Sequence, residues 1–198
     1  MYWRLLFCIV FGWACAPHAL AISPYVSGES VACTALPACV HSVEQKLKSA
    51  GFEVLGTHYP RGLPLHAVIV VADKAWLQTI RAMGGSAIIG AGIRIGVKAD
   101  GSVSYINPDY WYRAYFQKKF EARRNAVQAL SNRLTKALGD RGRFGGDVPA
   151  VDLPKYRFMI GMERFDTDKA LLYTHANFDA ALKTVRQNLA RNMNHTSQ

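Results

Sequence analysis

The chain has 198 residues, 24 Lys plus Arg against 14 Asp plus Glu, four Cys and 50% hydrophobic residues. That length supports one domain, or two small ones, with a sizeable core. A charged fraction of 19% beside 11% aromatics excludes a disordered or low-complexity protein. A formal charge of +10 raises a nucleic-acid or membrane-surface partner as a question.

The first segment reads as an export address. Arg4 precedes an uncharged run from Leu5 to Ala16, then Pro17 and the small-x-small triplet Ala19-Leu20-Ala21. Residues 1–21 are therefore expected to be a signal peptide cut after Ala21, placing the product in the periplasm or outside the cell. An uncleaved anchor is the alternative, against which the run is short for a membrane span. A lipid anchor at Cys15 fits poorly with Gly12 and Trp13 before it. Cleavage removes Cys8 and Cys15 and leaves Cys33 and Cys39. In an oxidising compartment these two are expected to pair. The other reading is a metal or redox site built from Cys33, Cys39 and His41, although the spacing fits neither CxxC nor the haem-attachment pattern.

Ser42 with Gln45 three residues on predicts a capped helix to about Ala50, stopped by Gly51. Phe52 to His58 reads as a strand. Beyond the turn Tyr59-Pro60-Arg61-Gly62, the apolar run Leu65 to Ala72 predicts a central strand buried on both faces. Asp73 caps a helix through Trp76, Leu77, Ile80 and Met83 that ends at Gly84-Gly85. Ile93, Ile95 and Val97 alternate with Arg94, Gly96 and Lys98, the period of a half-buried strand. Asp100-Gly101 turns the chain into a hairpin with Ser102 to Ile106. Asn107-Pro108-Asp109 then opens one long helix, with Phe116, Phe120, Val127, Leu130, Leu134 and Leu138 inward and Lys118, Glu121, Asn125, Gln128, Asn132 and Lys136 in water. A Gly-rich linker follows from Gly139 to Val148. Tyr156 to Met162 alternates like a strand, and Asn177 caps a last helix from Phe178 to about Asn192.

Strands and helices do not alternate strictly, and one hairpin is antiparallel, so the fold class is α+β with an antiparallel or mixed sheet packed by helices. The expected organisation is an N-terminal segment 22–41, a core domain 42–139, a linker with strand and helix over 140–192 belonging to the same domain, and a frayed tail 193–198.

The stretch from Val43 to Phe116 resembles the family described as domain of unknown function 302. The likeness rests on Ala50-Gly51-Phe52, on Val68-Ile69-Val70-Val71, and on the hairpin Ile95-Gly96-Val97 to Val103-Ser104-Tyr105. Its most specific piece is Asn107-Pro108-Asp109-Tyr110-Trp111. Leu153 to Met162 is similar to an extension of exported members. The resemblance implies a fold like that of the TATA-box-binding protein, and a homodimer. It implies no reaction, and a fold shared with a DNA-binding protein is no argument for DNA binding.

No GxSxG, HExxH, Walker A or EF-hand pattern occurs. Gly90 to Gly96 only superficially matches a dinucleotide loop, because its glycines lead into a strand rather than from a strand into a helix. No catalytic residue, metal or cofactor is therefore nominated. The densest aromatic group, Tyr105, Tyr110, Trp111, Tyr112, Tyr115, Phe116 and Phe120, suits either core and dimer contact or the wall of an apolar ligand pocket. Candidate ligand-binding residues are His58, Tyr59, Arg94, Tyr105, Tyr110, Trp111 and Tyr115. Arg113 to Arg143 carries nine basic and two acidic residues, against seven and six in each of 22–112 and 144–198. That basic element reads as a solvated helix face or as a peripheral contact for anionic membrane lipid. The leading expectation is a non-catalytic exported domain that binds a small apolar or anionic ligand or a protein partner, with no nucleic acid.

Overall fold

A computed structural model describes residues 21–155, 161 and 173–191. The chain forms two compact units, 1–155 and 156–198. The fold is α+β.

In the first unit, six strands make one antiparallel sheet: β2 (Tyr25–Ser27), β3 (Glu53–His58), β4 (His66–Ala72), β5 (Ile93–Lys98), β6 (Val103–Ile106) and β7 (Arg143–Phe144). Their order is β3-β4-β5-β6-β2-β7. A separate short pair joins β1 (Ala21–Ile22) to β8 (Val148–Pro149). Residues 22–41, expected to precede the core domain, thus supply an interior strand of its sheet. Val26 lies opposite Tyr105 on one side and Arg143 on the other.

Alternation gives the sheet two unlike faces. Ala67, Ile69 and Val71 of β4 align with Val97, Ile95 and Ile93 of β5 and are all buried. Helices α1 (Leu36–Ser49) and α4 (Arg124–Leu138) cover this inner face: Val43, Leu47, Leu134 and Leu138 are all within 2% of full burial. His66, Val68 and Val70 point the other way and are only half-buried. The expectation of a β4 strand buried on both faces is thereby corrected, because α1 and α4 pack on one face and leave the β4 side chains of the other half-buried.

The hairpin at Asp100-Gly101 joins β5 to β6 as expected, with the Asp100 carboxylate accepting the Ser102 N–H at 2.9 Å. Helix α2 (Lys74–Met83) begins at Asp73, whose side chain accepts the Trp76 N–H at 2.7 Å.

Two helix limits differ from expectation. Helix α1 starts at Leu36 rather than after Ser42, with Pro37 in its first turn. The buried set Leu36, Cys39, Val40, Val43 and Leu47 keeps one helical face inward along the roughly two added turns. The long helix is broken into α3 (Pro108–Phe116) and α4 by two 3₁₀ turns, with Gln117 at φ +50°. α3 is anchored to the Gly90 and Pro24 carbonyls and α4 to Asp73 and Ala50, and one straight rod does not serve both. The apolar stripe survives the break: Phe116, Phe120, Val127, Leu130, Leu134 and Leu138 are all buried.

In the second unit, α5 (Phe178–Ala190) is capped by Asn177, which accepts the Ala180 N–H at 2.9 Å. The strand expected over 156–162 falls almost wholly outside the described residues, as do most of the signal segment and the tail.

Cys33 and Cys39 are joined in a disulfide, with Cα atoms 5.1 Å apart. It closes a short loop, worth about 2 kcal/mol in the chain-entropy account. Replacing both residues by Ala, with unfolding followed in denaturant, is expected to lower stability by about 2 kcal/mol or slightly more, since Cys39 is wholly buried.

Candidate functional site

The position of α3 decides what the outer face of the sheet offers. Asn107 caps the helix, accepting the Asp109 N–H at 3.2 Å, and its amide donates to the Ser23 carbonyl at 2.8 Å. Pro108 follows at the first helical position. One side of α3 turns Tyr112 and Phe116 into the core, with ring centroids 4.3 and 5.7 Å from Trp76. The Tyr112 hydroxyl and the Trp76 indole N–H both donate to the Gly90 carbonyl, at 3.0 and 2.8 Å. A Cβ on residue 90 would stand 2.8 Å from the Tyr112 ring, so glycine is required there. This is the first glycine of the loop that superficially matches a nucleotide motif, and the glycines do lead into β5 from a 3₁₀ turn.

The other side of α3 presents Trp111 and Tyr115, one turn apart. The Trp111 indole N–H donates to the Pro24 carbonyl at 2.9 Å. Around it stand Tyr25, Tyr115 and Tyr110, with centroids at 6.1, 5.7 and 5.4 Å. Tyr25 continues the wall to Phe144 at 5.5 Å.

Arg94 of β5 meets this wall. Its guanidinium carbon lies 5.9 Å from the Trp111 centroid and its Nη2 is 3.5 Å from the Tyr115 hydroxyl. Arg94 is exposed and makes no ion pair among the described residues. Beside it runs a groove of about 220 Å³ bordered by Tyr25, Val68, Gly96, Ser104 and Ile106. Gly96 keeps the floor low, since a Cβ there would meet the Ser104 hydroxyl at 2.9 Å.

Of the residues nominated from sequence, Arg94, Tyr110, Trp111 and Tyr115 come together. Tyr105 also borders the groove, but its side chain turns to the inner face, where its hydroxyl donates to the Gly139 carbonyl at 2.8 Å. Burial pushes its phenol above the ordinary range, so it stays protonated at neutral pH. His58 faces outward in the next register row, opposite Val68 and two strands from Arg94, and no contact joins the two. Tyr59 lies beyond it on the β3–β4 turn and is 53% exposed.

Sequence reasoning missed Tyr25, Phe144, Gly96 and Ser104. The alternation of Ser102 and Ser104 with Val103 and Tyr105 marks Ser104 as outward, but nothing local marks Phe144, which follows the linker glycines.

The metal reading of Cys33, Cys39 and His41 is corrected. The two sulfurs are bonded to each other, and His41 lines a broad groove of about 970 Å³ between α1 and α4. Among the described residues no cluster of three or more His, Cys, Asp or Glu could hold a metal.

The basic element also changes character. Arg113 pairs with Asp109 at 3.0 Å and Glu121 at 3.7 Å, Arg141 with Glu29 at 3.5 Å, and Arg143 with Asp140 at 3.1 Å. Arg124 pairs with Glu121 and Arg133 with Asp73. Most of these arginines are spent on acids nearby, several from outside the segment.

No family model, curated protein or solved structure matches the chain.

The Trp111 hydrogen bond gives a check on the geometry. Trp111→Phe keeps an aromatic ring and removes one of two donors to the Pro24 carbonyl, the Asn107 N–H at 2.8 Å remaining, so unfolding stability should fall by about 0.5–1 kcal/mol, the net worth of one hydrogen bond.

Proposed function

We propose that the protein is an exported, non-catalytic binding domain for a small ligand that carries an anionic group on an apolar body. The anion meets Arg94, and the body lies along Tyr25, Trp111 and Tyr115 over the Gly96–Ser104 floor. The observation that carries this reading is Arg94: an exposed guanidinium without a carboxylate partner among the described residues, steadied by an aromatic face and a phenol. Such a group is the usual device for recognising carboxylate or phosphate. Export is supported by the order of charge, apolar run and small residues up to Ala21, and by a disulfide suited to an oxidising compartment. The likeness to the domain-of-unknown-function-302 family, whose sheet is gripped by helices, belongs to the same proposal, as does a homodimer.

The test is thermal-shift screening of the purified protein against small aromatic and aliphatic carboxylates and phosphates. A hit is expected whose affinity falls at least about tenfold in Arg94→Ala, the loss of one charge-assisted contact. Absence of any hit, or a hit indifferent to Arg94→Ala and to filling the floor with Gly96→Val, overturns the assignment of this site.

A further inference from the structure

The turn between β3 and β4, residues 59–65, reads Tyr-Pro-Arg-Gly-Leu-Pro-Leu. Its backbone is well pinned. The Leu63 N–H donates to the Pro60 carbonyl at 3.2 Å, the His66 N–H to Leu63 at 3.0 Å, and the Ala99 N–H to Leu65 at 3.0 Å. Gly62 supplies the positive φ of +79° that the first turn needs. Two prolines bring no N–H to satisfy. A turn so closed would ordinarily carry polar side chains into water. Here Tyr59, Leu63 and Leu65 are 53%, 50% and 61% exposed.

The charges around these side chains are mostly of one sign. Residues 55–72 contain no acid. Arg61 sits within the turn, His58 and His66 flank it, and Lys98 lies opposite His66 on β5. Neither Arg61 nor Lys98 is in an ion pair among the described residues. One acid, Asp100, stands on the adjoining β5–β6 turn, where its carboxylate is engaged by the Ser102 N–H.

We propose that this turn is a membrane-docking tip for an anionic bilayer surface. Leu63 and Leu65 enter the boundary between headgroups and acyl chains, Tyr59 sits at headgroup level, and Arg61 and Lys98 meet lipid phosphates. An interfacial tyrosine has an apolar body and a wet end, which is what that depth requires. Adjacent cations add attraction to anionic headgroups. A stable protein dimer buries about 800 Å² per partner over some 20 residues, which three side chains on a narrow turn do not supply. A bilayer needs no such complementary area. Lys118, Lys119, Arg123 and Lys136 of the Arg113–Arg143 segment are likewise in no ion pair among the described residues, but no exposed large apolar side chain accompanies them, whereas this turn carries both.

The test is co-sedimentation of the purified protein with vesicles of phosphatidylcholine alone and with 30 mol% phosphatidylglycerol. Binding is expected to the anionic vesicles, weaker at high salt. Leu63→Ser with Leu65→Ser should reduce it at least about tenfold, and Arg61→Glu should reduce both the binding and its salt dependence, with melting curves unchanged. Lys118→Glu, in the segment favoured by charge counting alone, should bind as the wild type does. The proposal is overturned if the wild type stays in the supernatant with both vesicles, or if Lys118→Glu releases it as strongly as Arg61→Glu. It is equally overturned if sedimentation equilibrium finds a wild-type dimer that the Leu63→Ser, Leu65→Ser variant splits, which would make the turn a contact between copies.

Discussion

A carboxylate taken out of water needs compensation, and Asp73 is 2% exposed. The Trp76 N–H answers part of that need by starting α2. The rest falls to Arg133 of α4, which pairs with Asp73, donates to the Ala50 carbonyl at 3.2 Å, and lies over the Phe52 ring at 4.9 Å. One guanidinium therefore ties the end of β4 and the start of α2 to the end of α1. Removing one partner from a buried pair generally costs about 3–5 kcal/mol, because the other charge stays behind. Arg133 is itself 39% exposed, which tempers that figure here. Its position still dictates where α4 lies, and so which face of the sheet is covered.

With α1 and α4 committed to one face, the other is left to whatever α3 brings to it. Tyr112 and Trp76 share a single carbonyl acceptor at Gly90, and that shared anchor fixes the rotation of α3. Trp111 and Tyr115 are thereby turned outward, and Arg94 finds a ring to lie on. The candidate site is a product of core packing as much as of the residues that line it.

Much of this was readable from local pattern. Alternation on Ile93 to Val97 with Asp100-Gly101 located the β5–β6 hairpin, and Asn107-Pro108-Asp109 located the start of α3, because each is decided within a few residues. The break at Gln117 was not readable. Phe116 and Phe120 keep the spacing of an unbroken helix, and no glycine marks the bend. The capping pair Ser42 and Gln45 suggested too late a start for α1, since the stripe that begins at Leu36 outweighs it. Alternation also showed that Arg94 points away from Ile93 and Ile95. It could not show that Tyr25, some seventy residues earlier, would stand nearby, because that depends on the order of strands in the sheet. The disulfide was legible from composition and expected compartment. The pairing of the arginines between 113 and 143 was not, since Asp73 and Glu29 come from distant positions.

The short strand β2 lies near the start of the described chain, yet its neighbours are β6 and β7. Val26 must wait for Tyr105 and then for Arg143. A chain that emerges from its N-terminus first cannot close this sheet until almost the whole first unit is available. The β3-β4-β5-β6 meander can form early from local hairpins, whereas the pairing of β2 carries a large loop-closure cost and comes late. Until then the edge of β6 stands open, and the unit keeps an unpaired strand that invites association with other chains. Strand order thus gives the protein an interval in which a meander stands without its last interior strand, and a closing step that joins residues near the start of the described chain to β7.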